Sequence, residues 1–353
     1  MNPYFYILRL HLYSRTKFKG FLPKKIAPIA ADVNLTENCN ARCITCNCWR
    51  KKKEDLISTE KAIDIINQIQ ELGVKRLRFT GGETLLRKDF FDILNGIKNN
   101  HFRKITLATN GLLLKKYAYQ INKSCLTDLG VSIDGLAETN DMIRGIRGYF
   151  SRVMSSLKEI RDKRITIMTT LNHKSVDELP SLFEMCDKNG WLWDFNLLDN
   201  RLYFLKDAQL EAIWPRKKDV DNLISLIKRY RKEKFLQRVS DIQLEYARKY
   251  LKHEKIEEPP CFMGFIDIFI GSGGEVYSGC YVLSPVGNVL QNKLAEIINS
   301  QRYKKRLIKM LNRNCVGCTC GYGFNAMIEK LPQRIIEIIK DVISLNLDRI
   351  PKI

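Results

Sequence analysis

Three cysteines near the start of the chain have the spacing of a metal-binding loop. Cys39, Cys43 and Cys46 form the pattern C-x3-C-x2-C, and Cys48 follows after one further residue. A [4Fe–4S] cube has four irons, so three thiolates that face one point leave one iron open for a ligand. With Cys48 as a fourth thiolate, the same stretch would form a closed zinc site. The cysteine spacing by itself leaves both metals open.

A glycine-rich turn follows the next predicted strand. Gly81 and Gly82 end a run of strand-forming residues, and Glu83 comes directly after them. Glycines let the backbone approach a ligand closely, and a carboxylate beside them can receive an ammonium group. Together with the cysteines on the preceding loop, this turn favours an iron–sulfur cluster over zinc.

Both motifs lie on a repeating pattern of strands and helices. Strands are predicted at residues 31–36, 74–80, 104–109, 129–133, 165–171 and 191–198. Helices are predicted between them at residues 62–72, 89–99, 112–123, 150–163 and 175–189, with a charged helix at 217–252. This alternation implies parallel strands with right-handed crossovers, and six strands suit a partial (β/α)6 barrel of the TIM type. Chemistry in such barrels lies at the carboxyl ends of the strands, which is where both motifs are found.

Between residues 32 and 198 the chain resembles the radical S-adenosylmethionine (SAM) superfamily. The resemblance is carried by the three cysteines Cys39, Cys43 and Cys46 and by the strand-end residues Gly81, Gly82, Glu83, Asn110, Ser132, Asp134 and Arg144. It implies that the cysteines hold a [4Fe–4S] cluster and that the other residues bind SAM. It also implies an activity: reductive cleavage of SAM to a 5′-deoxyadenosyl radical, which abstracts hydrogen from an organic substrate.

A second group of cysteines lies near the carboxyl terminus. Cys261 and Cys280 flank a predicted β-hairpin with a glycine turn, and Cys315, Cys318 and Cys320 follow. The layout resembles the auxiliary-cluster extensions called SPASM and twitch. It implies one auxiliary [4Fe–4S] cluster held by Cys261, Cys280, Cys315 and Cys318, with Cys320 as the alternate ligand. A zinc ribbon is the competing interpretation of these cysteines.

The composition is that of a folded protein with two unusual features. The 353 residues are 45% hydrophobic, which excludes wholesale disorder and leaves room for two domains. The 59 basic and 39 acidic residues give a net charge of +20, which fits either an anionic partner or a lysine-rich composition. Eleven cysteines accompany only four histidines. Since there is no secretion signal and no apolar run of about 18 residues, we expect a cytoplasmic protein whose clustered thiols bind metal.

These patterns divide the chain into four parts. We expect a basic and aromatic extension at 1–31, the radical SAM partial barrel at 32–235, a small cysteine-rich auxiliary-cluster domain at 255–325 and a carboxyl-terminal helix at 326–353. The extension has two interpretations. It either packs on the core or makes a peripheral contact with a membrane surface.

The sequence therefore predicts a radical SAM oxidoreductase or maturase that receives electrons from a reductant such as flavodoxin or ferredoxin. Two substrate classes stay open: a peptide, and a phosphate-bearing sugar, nucleotide or lipid-linked metabolite. Only about 31 residues precede the first predicted strand, so we expect a peptide leader to need a separate recognition protein. The alternative function is a cysteine-rich zinc-binding protein that acts on nucleic acid.

Overall fold

The computed structural model describes residues 3–46, 48–50, 56–198, 208–233, 240–256, 260–312, 328 and 331. Its strands form one nine-stranded sheet in the order β6-β5-β4-β3-β2-β1-β7-β8-β9. The strands are β1 Ala30–Asn34, β2 Arg76–Thr80, β3 Lys104–Thr109, β4 Asp128–Ser132, β5 Arg164–Thr170, β6 Leu192–Asn196, β7 Asp267–Ile270, β8 Glu275–Tyr277 and β9 Gly287–Asn288. Strands β1 to β7 pair in parallel, and β7, β8 and β9 pair antiparallel. The predicted parallel α/β architecture, a partial barrel of the TIM type, is confirmed.

Helices follow the strands along the chain. They are α1 Pro3–Thr16, α2 Thr59–Glu71, α3 Phe90–Gly96, α4 Leu114–Lys123, α5 Ala137–Arg144, α6 Tyr149–Leu157, α7 Ser175–Asn189, α8 Ala208–Ile213, α9 Lys217–Glu233, α10 Asp241–Leu251, α11 Met263–Ile266, α12 Leu294–Asn299 and α13 Gln301–Leu311. Short 3-10 turns lie at Lys19–Phe21, Cys48–Arg50 and Thr84–Leu86. Helix α2 begins at Thr59, earlier than the predicted start at residue 62, because the Ser58 hydroxyl caps it by accepting a hydrogen bond from the Lys61 N–H.

Alternation along each strand separates a helix-covered face from an open, concave face. On β2, Leu77 and Phe79 are buried. The Phe79 ring packs against Phe90 of α3, with 5.2 Å between the two ring centroids. Arg78 lies between them on the other face and is 53% exposed, although β2 has four strands on either side of it in the sheet. An exposed side chain at the centre of a wide sheet marks an open interior, here called the lumen.

Two helix predictions are wrong in their extent. The predicted helix at 217–252 is two helices, α9 and α10, and the second has its own N-cap at Ser240. The predicted helix at 150–163 ends at Leu157, and Asp162 has a positive φ of 54° that is incompatible with a continuing helix. Helix α5 is not among the predicted elements, although Gly145 stops it in the left-handed conformation.

The predicted carboxyl-terminal hairpin is present, but it does not form a separate sheet. Its strand β7 pairs in parallel with β1, with Ala30 opposite Asp267 and Val33 opposite Ile270. The hairpin therefore extends the sheet of the barrel at the side of β1. The predicted ligands Cys315, Cys318 and Cys320 and the predicted helix at 326–353 lie outside the described residues.

The amino-terminal helix α1 packs on the core. Tyr6 and Leu10 are 1% and 0% exposed, and the Tyr6 hydroxyl donates a hydrogen bond to the Phe265 carbonyl of α11 at 2.9 Å. These side chains are consequently not available to a membrane surface. No helix in the described ranges is both long and apolar enough to cross a bilayer.

Candidate functional site

The first three cysteines lie on the loop between β1 and α2, and the end of α5 holds that loop in place. Arg42 N–H donates to the Arg144 carbonyl at 3.1 Å, and Ile44 N–H donates to the Ile143 carbonyl at 2.9 Å. Gly145 fits against the same loop, because a Cβ there would overlap Arg42. These contacts position Cys43, the most buried of the three cysteines, which is 8% exposed.

Arg144 joins this loop to the end of β4. Its Nη1 lies 3.7 Å from Cys43 Sγ, and its Nη2 lies 2.7 Å from Asp134 Oδ2. Asp134 is 1% exposed, and its Oδ1 accepts the Thr170 N–H at 2.8 Å. Burial alone would lower the pKa of Arg144, but the Asp134 carboxylate and the Cys43 thiol raise it overall. The guanidinium therefore stays charged beside the thiol.

Asn110 makes a similar link from the end of β3. Its Nδ2 lies 3.7 Å from Cys39 Sγ and donates to Asn40 Oδ1 at 2.7 Å. Its carbonyl accepts the Tyr149 hydroxyl. Ser132, at the end of β4, is half-buried on the lumen face. Two predicted site residues thus reach two of the three cysteines, Asn110 from the end of β3 and Arg144 from the end of α5.

The glycine turn closes against the cysteine loop through its backbone. Gly82 N–H donates to the Thr36 carbonyl at 2.8 Å, and Glu83 N–H donates to the Asn38 carbonyl at 2.7 Å. Gly81 has a φ of +126°, and a Cβ there would stand 2.5 Å from the Thr36 carbonyl oxygen. Only glycine allows this approach, so the turn fixes the segment that leads into Cys39.

The Glu83 side chain points into the protein, in contrast to its predicted use for an ammonium group. It is 0% exposed, and its oxygens accept from Asn110 N–H at 2.7 Å, the Thr109 hydroxyl at 2.9 Å and Leu85 N–H at 3.2 Å. Burial raises the pKa of Glu83 to about 7, against the lowering effect of these donors. The carboxylate therefore ties β2 to β3, and the backbone of the glycine turn is the part of the motif left for a ligand.

The three thiols differ in their electrostatic surroundings. Burial raises the pKa of Cys39 to about 11 and also raises that of Cys43. The pKa of Cys46 is lowered to about 6, first because the Cys48 thiol donates to it and then because the Cys48 N–H does, at 3.5 Å. Cys48 is therefore a hydrogen-bond donor to the third cysteine, Cys46.

The donor set has the composition that an iron–sulfur cube takes. Three thiols lie on one braced loop, and a cube with three thiolate ligands keeps one iron open. The amide of Asn110 lies beside Cys39 and the guanidinium of Arg144 beside Cys43, where each can donate to a ligating sulfur.

The second cysteine group is described in part. Cys261 N–H donates to the Met310 carbonyl of α13 at 3.2 Å, and Cys280 is 8% exposed. Gly279 has a φ of +66°, and a Cβ there would stand 2.8 Å from the Asp267 carbonyl oxygen. The turn that carries Cys280 is therefore pressed against β7. Two further cysteines lie elsewhere: Cys186 is buried in α7, and Cys125 is half-buried in the loop after α4.

Family models match both halves of this arrangement. The model of the radical SAM superfamily matches residues 33–186, and that of the SPASM iron–sulfur cluster-binding domain matches residues 261–320. The fold and the site thus define an iron–sulfur protein. The chain belongs to the radical SAM superfamily and carries a SPASM domain. Its cofactors are accordingly [4Fe–4S] clusters and SAM.

Curated relatives cover different shares of the chain. It is 29% identical over 160 residues to Fe-coproporphyrin III synthase of Methanosarcina barkeri, across 44% of this chain and 40% of that protein. It is 34% identical over 156 residues to a probable GTP 3′,8-cyclase of Archaeoglobus fulgidus, across 42% and 52%. The chain thus spans about half the length of these two relatives. The sporulation killing factor maturation protein SkfB of Bacillus subtilis is 24% identical over 298 residues, across 82% and 69%.

Solved structures share the fold. Streptococcus suis SuiB bound to SAM has a TM-score of 0.63 and 16% identity, across 80% of this chain and 68% of SuiB. The enzyme anSMEcpe with bound SAM and the Cp18Cys peptide has a TM-score of 0.63 and 17% identity, across 90% and 99%. At these identities the likeness concerns the fold.

Proposed function

We propose that the chain is a radical SAM enzyme that modifies a peptide. When bound, the reduced cluster supplies one electron that cleaves SAM to methionine and a 5′-deoxyadenosyl radical, and this radical abstracts hydrogen from the substrate. The protein's own part is to bind, to orient and to exclude water. The observation that carries the peptide assignment is the balanced charge of the lumen.

Cys39, Cys43 and Cys46 would hold the cluster, and the backbone of Gly81 and Gly82 would meet the amino group of SAM. Ser132, on the lumen face of β4, is the candidate contact to the ribose. Asn110 contacts the Cys39 thiol and Arg144 contacts the Cys43 thiol, so their role is at the cluster ligands. Glu83 and Asp134, which the resemblance assigns to SAM, are better understood as positioning residues because both are buried and bound by protein donors.

The lumen-facing positions of strands β1 to β7 carry equal numbers of opposite charges. The cations are Arg76, Arg78, Lys104 and Arg164, and the carboxylates are Asp32, Asp128, Asp194 and Asp267. Arg78 Nε donates to Asp32 at 2.8 Å, and Lys104 Nζ lies 2.6 Å from Asp128. A phosphate-rich metabolite needs cations that are free to bind it. Arg76, Lys104 and Arg164 begin their strands, at the edge of the sheet opposite to the cysteine loop. Arg78 lies further along β2, nearer to that loop, and is engaged with Asp32. Of the lumen cations named above, the one nearer to the cysteine loop is therefore already paired, which supports a peptide over a phosphate-bearing substrate.

An aromatic wall of three rings lies beside Cys280. The centroid of the Phe269 ring on β7 lies 5.6 Å from that of Tyr277 on β8. It lies 5.5 Å from the ring centroid of Tyr281, which follows Cys280. Phe269 is on the same strand face as Asp267 and is half-buried. Such a wall suits the side chains of a peptide that lies between the first cluster and the auxiliary cluster.

The relatives support the same assignment. SkfB is a maturation protein, SuiB has been solved with the precursor peptide SuiA, and anSMEcpe has been solved with the Cp18Cys peptide. The GTP 3′,8-cyclase of Archaeoglobus fulgidus, which is named for GTP, matches only 42% of this chain. For Cys261, Cys280, Cys315 and Cys318, with Cys320 as the alternate, we propose the auxiliary [4Fe–4S] cluster. We further propose a reducing cytoplasm, where clustered cysteines bind metal more often than they form disulfides, and a flavodoxin or ferredoxin as the one-electron donor to the cluster.

The test begins with anaerobic purification and metal analysis. About eight irons per chain are expected for two cubes, together with SAM cleavage when dithionite is added. Peptides encoded beside the gene would then be offered with deuterated side chains. Transfer of deuterium into 5′-deoxyadenosine identifies the substrate and supports the proposal.

Two results would contradict it. Zinc in place of iron would remove the radical chemistry and favour the zinc-binding alternative. The second result is a protein that contains iron and cleaves SAM but takes deuterium only from a phosphorylated sugar or nucleotide. It would support the radical chemistry and contradict the assignment of a peptide substrate.

A further inference from the structure

Arg87 is a buried cation between the two ends of the cysteine loop. It lies one residue beyond the 3-10 turn that follows the glycine motif, and its side chain is 5% exposed. Its Nη1 donates to the Leu35 carbonyl at 3.2 Å and to the Ile57 carbonyl at 2.9 Å. Leu35 directly follows β1, and Ile57 directly precedes the N-cap of α2.

A single nitrogen therefore fixes the separation of the loop ends. Leu35 and Ile57 are 0% and 1% exposed, so their side chains are anchored in the core while their carbonyls are joined through Arg87. All the predicted ligands of the first cluster lie between these two anchors. A loop whose ends are held at a fixed distance has fewer conformations to lose when it binds a cluster.

Asp89 fixes the orientation of the guanidinium. It accepts from Arg87 Nε at 2.8 Å and from Nη2 at 2.5 Å. The Thr59 hydroxyl at the start of α2 donates to the same carboxylate at 2.6 Å. The Arg87 side chain lowers the pKa of Asp89 to about 2, so this partner is charged at neutral pH. Arg87 is thus held on one side and binds both loop ends with the other.

We infer that Arg87 is a positioning residue for the first cluster, which it serves by holding the two ends of the cysteine loop together. This inference rests on the proposed function, because it requires Cys39, Cys43 and Cys46 to be cluster ligands. Residues of this kind, which orient ligands without touching the metal, typically change metal retention by 10- to 100-fold when they are replaced.

Lys163 offers a matched control. Its Nζ also joins two backbone carbonyls, those of Ser124 at 3.0 Å and Leu126 at 2.8 Å. These contacts lie near the starts of β4 and β5, at the edge of the sheet opposite to the cysteine loop. Replacing Lys163 tests what the loss of such a bridge does to the fold alone.

The experiment compares wild-type protein with the variants Arg87→Gln, Arg87→Lys and Lys163→Gln after anaerobic reconstitution. A ferrous iron chelator is added, and the first cluster is followed by the part of the EPR signal of the reduced protein that shifts when SAM is added. The melting temperature of each variant is measured in parallel. The chelation is carried out well below these temperatures, so that global unfolding does not set the rate.

Arg87→Gln is expected to lose the SAM-responsive signal about 10- to 100-fold faster than wild type. Arg87→Lys should lie between the two, and Lys163→Gln should match wild type even if it melts earlier. Equal rates in all four proteins, or acceleration in Lys163→Gln as large as in Arg87→Gln, would overturn the inference. If Arg87→Gln does not fold, Arg87→Lys carries the same comparison. A wild-type protein without any SAM-responsive signal would instead overturn the proposed function, and the inference with it.

Discussion

Asp134 Oδ2 lies 2.7 Å from Arg144 Nη2, and this ion pair directs the arginine at the cysteine loop. The two side chains are 0% and 11% exposed, so water does not screen the pair. From this position, Arg144 Nη1 approaches Cys43 Sγ at 3.7 Å. A carboxylate that the motif assigns to a ligand therefore has a different role, which is to hold a cation beside a thiol.

Replacing that cation should make the first cluster harder to reduce. A positive charge near a ligating thiolate stabilises the extra electron of the reduced cluster, so Arg144→Gln should lower its reduction potential by on the order of 50 mV. An EPR-monitored redox titration measures this. The exposed residue Arg152 gives the control, because Arg152→Gln removes a charge from the surface of α6. An unchanged potential in Arg144→Gln would show that the contact does not influence the cluster.

Loss of the first three thiols should remove one cube and spare the other. The triple variant with Ala at Cys39, Cys43 and Cys46 is expected to keep about four of about eight irons and to lose SAM cleavage. Iron and sulfide analysis checks the first outcome, and chromatography of 5′-deoxyadenosine the second. Cys125→Ala, which alters a half-buried thiol in the loop after α4, should keep both. Continued SAM cleavage by the triple variant would contradict the site.

Gly82→Ala should damage the cysteine loop. A Cβ at Gly82 would overlap the Asn38 carbonyl and stand 2.6 Å from the Glu37 carbonyl oxygen, and both belong to the backbone that leads into Cys39. Because backbone cannot move aside cheaply, we expect a lower melting temperature and poor iron retention. At Gly130, by contrast, a Cβ would meet Met168 at an ordinary 3.6 Å, so Gly130→Ala should behave like wild type in both measurements. Equal behaviour of the two variants would count against the close approach.

Glu83 should make the stability of the cofactor-free protein fall as pH rises. Its pKa of about 7 in the folded state lies above the ordinary value of 4.5 for a glutamate, so the folded protein binds the extra proton. The stabilisation is complete below about pH 4.5 and is lost as pH rises to about 7, by roughly 3 kcal/mol. Denaturant unfolding of the apoprotein at several pH values measures this loss.

Glu83→Gln should flatten that pH dependence, since the amide does not titrate. Glu71→Gln, at an exposed position of α2, should keep the slope of wild type. A slope that survives in Glu83→Gln would assign the titration to another group.

Local patterns were sufficient to predict the barrel. Each of its first six strands is a short apolar-alternating run that is followed by a helix, and nearest neighbours in sequence pair in space from β1 to β6. The pairing of β1 with β7 follows no such rule. It joins residues 30–33 to residues 267–270, and nothing in the spacing or composition of either segment indicates it.

The residue types at the site could also be predicted from the sequence, but the directions in which their side chains point could not. A motif gives a carboxylate at Glu83 and another at Asp134, whereas burial decides that both face protein donors. Arg87 was missed because its role depends on two carbonyls, at Leu35 and Ile57, that have no signature in sequence. The available signal was an arginine four residues after the glutamate of the glycine–glycine–glutamate turn, followed two residues later by an aspartate.

The parallel pairing of β1 with β7 has a consequence for how the protein can be divided. β1 leads into the first cysteine loop, and β7 leads into the hairpin before Cys280. A chain shortened before Asp267 would leave β1 with a row of unpaired backbone groups, which is a template for pairing between molecules. The barrel without its carboxyl-terminal part should therefore aggregate, because β1 would lose the strand that covers its edge.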